Sequence, residues 1–104
     1  MTSVDVGTID DFDDGAATSR RVGSRTLVVV RIGDELYVLD DRCSHEEFPL
    51  SAGEVDPDTR EIECERHGAM FSLKDGAPLS LPATKPVPSY RVDVRDGRVL
   101  VELP

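Results

Sequence analysis

Long apolar runs are missing from this chain of 104 residues. The longest, Leu27-Val28-Val29-Val30, is far short of the roughly 20 residues a membrane-spanning helix needs. The opening Met1-Thr2-Ser3-Val4-Asp5 lacks the basic start and apolar stretch of a secretory signal. The expected location is therefore the cytoplasm, where a lone disulfide is disfavoured on redox grounds. Basic residues are outnumbered 12 to 21, for a formal net charge of −9. Such a surface would repel phosphates, which argues against nucleic acid as a partner. It would attract a protein with basic docking patches, with an on-rate that falls as salt rises, and it also favours solubility. Helical periodicity over three turns is absent from every window, as are repeats, linkers and low-complexity segments. Thiol- and imidazole-bearing side chains are few: two cysteines and two histidines.

What is present reads as strands. Residues 3–9 alternate weakly and predict a short first strand. Asp10-Asp11-Phe12-Asp13-Asp14-Gly15 lacks the spacing and closing glutamate of a calcium loop. It is read as a solvated turn with Phe12 tucked inward. A strand is expected over Arg20–Val22, and a stronger one over Arg25–Ile32, rich in β-branched residues. Gly33-Asp34 turns the chain into a partner strand, Glu35–Leu39. A second hairpin is expected around Asp56-Pro57-Asp58-Thr59-Arg60. Short extended pieces follow at Phe71–Leu73 and Ala77–Leu79. The prolines at 82, 86 and 88 then enforce a stiff, extended loop. Tyr90–Val94 and Val99–Leu103 flank Asp96-Gly97, a strong hairpin signal. The fold class is all-β, a small antiparallel sandwich or barrel in one domain spanning 1–104.

Every cysteine and histidine lies in two short stretches, Cys43-Ser44-His45 and Cys64-Glu65-Arg66-His67. The first follows a hairpin and the second ends one, so each pair is expected at a hairpin tip. Side by side, the two loops would bring two thiolates and two imidazoles to one metal site. Zinc is one possible occupant, as a structural module. Zinc fingers, however, usually pair two cysteines in one half and two histidines, on a helix, in the other. Here each half is mixed and no helix is in sight. A Rieske-type [2Fe-2S] cluster uses two cysteines on one iron and two histidines on the other. Two mixed loops facing each other supply that set, so the pattern favours the iron–sulfur centre. Phe48 and Leu50 are candidates to shield it.

With Cys43-x-His45, Cys64-x-x-His67-Gly68, Phe71, Gly76, a proline-rich loop and a terminal Asp-Gly hairpin, the chain resembles the Rieske ferredoxins from end to end. The first loop's wording is similar to ferredoxin subunits of bacterial ring-hydroxylating oxygenases. The resemblance implies a β-sandwich base with a cluster-binding subdomain over about 41–82. It implies that Cys43 and Cys64 hold the inner iron, that His45 and His67 hold the outer one, and that residues 82–88 cover the cluster. Respiratory members of the family carry two further cysteines as an inter-loop disulfide, which this chain cannot form. High-potential members carry a serine and a tyrosine where this chain has Ala69 and Phe71. Without those donors, and with Glu46, Glu47, Glu63 and Glu65 nearby, the expected potential is at the low end of the Rieske range, near about −150 mV.

The expected function is one-electron transfer from a flavin-dependent reductase to a terminal oxygenase or similar redox enzyme. His45 and His67 would be the electron's exit points. With both histidines used as ligands, a two-histidine-one-carboxylate iron site cannot be built, and no base is left for a cysteine nucleophile. The chain is thus expected to be a carrier and not itself an enzyme. An alternative role for the same cluster is iron–sulfur assembly or redox sensing.

Overall fold

The computed structural model describes residues 2–42, 49–65, 68–80 and 85–104. Ten strands follow in chain order: β1 (Thr2–Thr8), β2 (Ala17–Val22), β3 (Arg25–Ile32), β4 (Glu35–Asp40), β5 (Val55–Asp56), β6 (Glu61–Cys64), β7 (Ala69–Ser72), β8 (Ser89–Tyr90), β9 (Val92–Arg95) and β10 (Arg98–Leu103). Among the described residues they form three sheets, ordered β1-β10-β9, β2-β3-β4-β8 and β5-β6-β7. Every pairing between these strands is antiparallel. The all-β expectation holds.

β3 explains the layering. A sheet with one wet face alternates apolar and polar residues, whereas a sheet covered on both faces reads as an unbroken apolar run. Leu27, Val28, Val29 and Val30 are all fully buried. Val28, Val30 and Ile32 enter one core with Leu39, Leu50, Ile62, Cys64, Phe71, Leu73 and Val87. Leu27 and Val29 enter the other with Phe12, Leu36, Val38, Val99, Val101 and Leu103. The sheet containing β3 is therefore a middle layer. One side packs on the terminal β1-β10-β9 sheet, and the other on the β5-β6-β7 sheet that carries Cys64.

The aspartate-rich stretch serves this frame. Ile9–Asp11 is a turn of 3-10 helix and not the end of β1. The Thr8 backbone N–H donates to Asp11 Oδ2 at 2.8 Å, which turns the chain out of the strand. Phe12 is buried as expected, with the Arg20 guanidinium 4.9 Å from its ring centroid. Asp14 Oδ1 accepts from the Gly33 N–H at 2.8 Å and steadies the β3–β4 turn.

Some boundaries differ from expectation. β2 begins at Ala17, because its pairing with β3 extends back to Val30. β7 covers Ala69–Ser72, set by its register against Glu61–Cys64. The extended piece expected at 77–79 makes an isolated bridge between Phe71 and Pro78 rather than a longer ladder. The expected strand Tyr90–Val94 is divided at Arg91. Tyr90 pairs with Val38 in the middle sheet, and Val92 pairs with Val101 in the terminal one. Alternation records which way side chains point but not which neighbour supplies the hydrogen bonds.

Candidate metal centre

Of the four expected ligands, Cys64 lies within the described residues. Cys43, His45 and His67 lie outside them, as do Phe48, Glu46, Glu47 and residues 81–84 of the proline-rich loop. The structure defines the bases from which these segments leave.

The first loop leaves β4 at Asp41 and returns at Pro49. Asp41 is the one buried charged residue among those described, 9% exposed. Its N–H donates to the Thr26 carbonyl at 2.9 Å, which anchors the departure point to the start of β3. Its carboxylate accepts two bonds from across the loop, from Ser51 N–H to Oδ1 and from Ser51 Oγ to Oδ2, both 2.7 Å. Leu50, beside Ser51, is fully buried. This loop links two sheets and is not a hairpin tip, contrary to expectation.

The second loop is a hairpin tip. Cys64, fully buried, ends β6 opposite Ala69. The Gly68 N–H donates to the Cys64 carbonyl at 2.8 Å, with Gly68 at φ 70°. That left-handed conformation costs glycine little and lets the chain re-enter β7. The thiol of Cys64 is thus held at the edge of a core, where the approach of bulk water is limited.

The third segment is held at both ends. Ser80 Oγ accepts from the Met70 N–H at 2.9 Å. Beyond it, the Val87 N–H donates to the Gly76 carbonyl and the Asp40 N–H to the Pro88 carbonyl, both at 2.9 Å. A Cβ on Gly76 would lie 1.9 Å from the Val87 carbonyl oxygen, so only glycine permits this contact.

The three bases converge. Leu50 from the first, Cys64 from the second and Val87 from the third share one buried cluster. Arg42 and the 85–88 segment line the same open cleft, so the first and third bases also meet at the surface. A residue set of two thiols and two imidazoles, on segments whose bases converge, suits an iron–sulfur group. Among the described residues, no cluster of three or more histidine, cysteine or acidic side chains offers a competing metal site.

Ala69 and Phe71 are both fully buried, and neither side chain carries a donor. Beside the first base, the Tyr90 hydroxyl donates to Asp40 Oδ1 at 2.5 Å and accepts from Arg25 Nη1 at 3.1 Å. Burial, then the Asp40 bond, pushes the Tyr90 phenol above its ordinary value. Asp41 and Ser51 were not apparent from the sequence as parts of the site. Their one sequence signal is that they flank the first ligand pair.

Comparison with known proteins agrees with this geometry. The Rieske [2Fe-2S] domain family matches residues 2–91. The anthranilate 1,2-dioxygenase ferredoxin subunit of Burkholderia cepacia is 37% identical over 98 residues, 94% of this chain and 89% of that protein. The ferredoxin of carbazole 1,9a-dioxygenase from Nocardioides aromaticivorans IC177 superposes with a TM-score of 0.93 at 38% identity, covering 97% of both chains. A ferredoxin solved in complex with its oxygenase, again of carbazole 1,9a-dioxygenase, has a TM-score of 0.86 at 36% identity, covering 95% of this chain and 91% of that one. This chain belongs to the Rieske [2Fe-2S] domain family. Its cofactor is a Rieske-type [2Fe-2S] cluster, and its fold is that of the Rieske ferredoxins.

Proposed function

We propose that this protein is the electron-carrying component of an oxygenase system. It takes single electrons from a flavin-dependent reductase and delivers them to a terminal oxygenase or similar redox enzyme. The bound cluster supplies one-electron redox chemistry and nothing more. Cys43 and Cys64 would hold one iron, and His45 and His67 the other, at the solvent-facing end. Those four side chains account for every cysteine and histidine. None is left for a mononuclear iron triad or for a base beside a nucleophile, so the chain is read as a non-catalytic component. The domain would span 1–104, with about 41–82 as the cluster-binding subdomain.

The observation that carries this reading is end-to-end likeness to dioxygenase ferredoxin subunits, one of them solved together with its oxygenase. The convergence of the three loop bases supports the ligand assignment. The net charge of −9 favours partners with basic docking patches, met in small transient encounters. Buried Ala69 and Phe71, which lack donors, support a potential at the low end of the Rieske range.

The test is direct. The purified protein should be red-brown, carry about two irons per chain and give a Rieske-type paramagnetic resonance signal when reduced. Mixed with a ferredoxin-dependent oxygenase and its flavin reductase, it should be reduced by the reductase and reoxidised by the oxygenase. A colourless, zinc-loaded protein, or one that neither accepts nor donates electrons in that mixture, would refute the reading.

A further inference from the structure

We propose that the Asp41–Ser51 pair is a latch that positions the first ligand loop, and that Asp41 is a positioning residue for the cluster. The proposal rests on the reading that Cys43 and His45 are ligands. Asp41 and Ser51 stand ten positions apart, and the segment between them carries both.

The latch has the features of a built device. A carboxylate is an acceptor at both oxygens, and Ser51 offers two donors, its N–H and its hydroxyl. Both bonds are 2.7 Å, the length expected when a charged group takes part. Asp41 is 9% exposed, so solvent competes little for these bonds. Its N–H is separately tied to Thr26 on β3. On the far side, Leu50 is fixed in the core that also holds Cys64 and Val87. The loop's two feet are therefore set on the platform that carries the second loop's cysteine. A ligand loop whose feet cannot drift presents its side chains at one separation from the opposite pair, and such outer contacts commonly govern retention and tuning of a metal group.

Serine and aspartate here could instead serve general stability alone. Three variants and a control separate the two roles. Asp41→Ala removes both bonds. Ser51→Ala removes the hydroxyl bond and keeps the N–H bond. Asp41→Asn keeps the shape, because the serine hydroxyl can turn to accept from the amide. Val101→Ala removes methyl groups from the other core, across the middle sheet, and lowers global stability without touching the latch.

Iron release into a chelator should accelerate about tenfold or more in Asp41→Ala, the factor set by a lost charge-assisted bond, and less in Ser51→Ala. The reduced-state resonance of Asp41→Ala should broaden or shift, and Asp41→Asn should recover most of the wild-type line shape. In cluster-free protein, the Ser51 amide should exchange hydrogen faster in Asp41→Ala than in wild type. Val101→Ala should lower the unfolding temperature while leaving line shape and iron release near wild type. If wild type retains iron and Asp41→Ala matches it in release and resonance, the latch is refuted while the functional reading stands. The latch is likewise refuted if Val101→Ala disturbs release and resonance as much as Asp41→Ala does. If wild type binds no iron at all, the functional reading falls and the latch proposal with it. Should Asp41→Ala fail to fold, Ser51→Ala carries the comparison: faster iron release than wild type is expected, and release and resonance equal to wild type refute the latch.

Discussion

Gly53 lies so close to Glu63 that a Cβ on it would sit 1.6 Å from the Glu63 carbonyl oxygen. The Glu63 N–H meanwhile donates to the neighbouring Glu54 carbonyl at 2.9 Å. The chain leaving the first ligand loop is thereby pressed against the strand that delivers Cys64, one residue further on. Gly53 has an ordinary extended backbone at φ −87°, so the requirement for glycine is space and not conformation.

Replacing Gly53 by alanine should therefore force the two backbones apart. Relief of such overpacking typically costs about 1–3 kcal/mol. For a domain of this size, each kcal/mol lowers the melting temperature by roughly 4–8 °C. A thermal melt checks the loss, and iron analysis should show weaker cluster retention. A Gly53→Ala protein as stable as wild type would contradict the contact.

Substitution of Cys64 by serine should abolish the visible spectrum, and His67→Ala should do the same or leave an unstable centre. Far-ultraviolet circular dichroism should persist in both, because the terminal core of Phe12, Val99 and Val101 is separate from the site. Retained colour in Cys64→Ser would remove that residue from the ligand set.

The proposed low potential predicts a midpoint near about −150 mV in a spectroscopic redox titration. Phe71→Tyr should move it upward if the new hydroxyl reaches the cluster or its cysteine, since hydrogen bonds to sulfur favour the reduced form. A wild-type midpoint well above zero would mean that the missing donors do not set the potential.

Stability should fall at both ends of the pH scale, for different groups. The carboxyl of Asp5 is held below its ordinary 3.8, first by its bond from Arg98 and then by the Gly7 N–H. That of Glu35 is held below 4.5 by the Tyr37 hydroxyl, then by Arg60. A lowered carboxyl contributes stability above its unfolded value and loses it as pH falls through the folded one. Both sites are exposed, so each effect is small and screened by salt. Asp5→Asn should differ from wild type at neutral pH and converge with it in acid, as followed by denaturant unfolding.

At the alkaline end, Tyr37 and Tyr90 both lie above their ordinary 10.0, Tyr37 chiefly through Glu35 and Tyr90 chiefly through burial. A raised phenol stabilises below its unfolded value and ceases to do so as pH rises through the folded one. Ultraviolet titration should show both tyrosinates appearing late, and Tyr90→Phe should leave a single late transition.

The class of this protein could be read along the chain, because local chemistry suffices for that. β-branched runs and Asp-Gly turns specify strands, and two mixed cysteine–histidine pairs specify the kind of metal group. The unbroken Leu27–Val30 run even carried the mark of a sheet covered on both faces. How the pieces meet was settled by folding alone. Hydrogen-bond partners divide Tyr90 and Val92 between two sheets, although their alternation is continuous. The Asp41–Ser51 bonds and the Gly53–Glu63 contact join residues ten apart in sequence in both cases. No periodicity records such contacts, because they depend on where the two chains come to lie in space. The candidate ligand types are thus a property of the sequence, whereas the framework from which their loops depart appears only when the chain is folded.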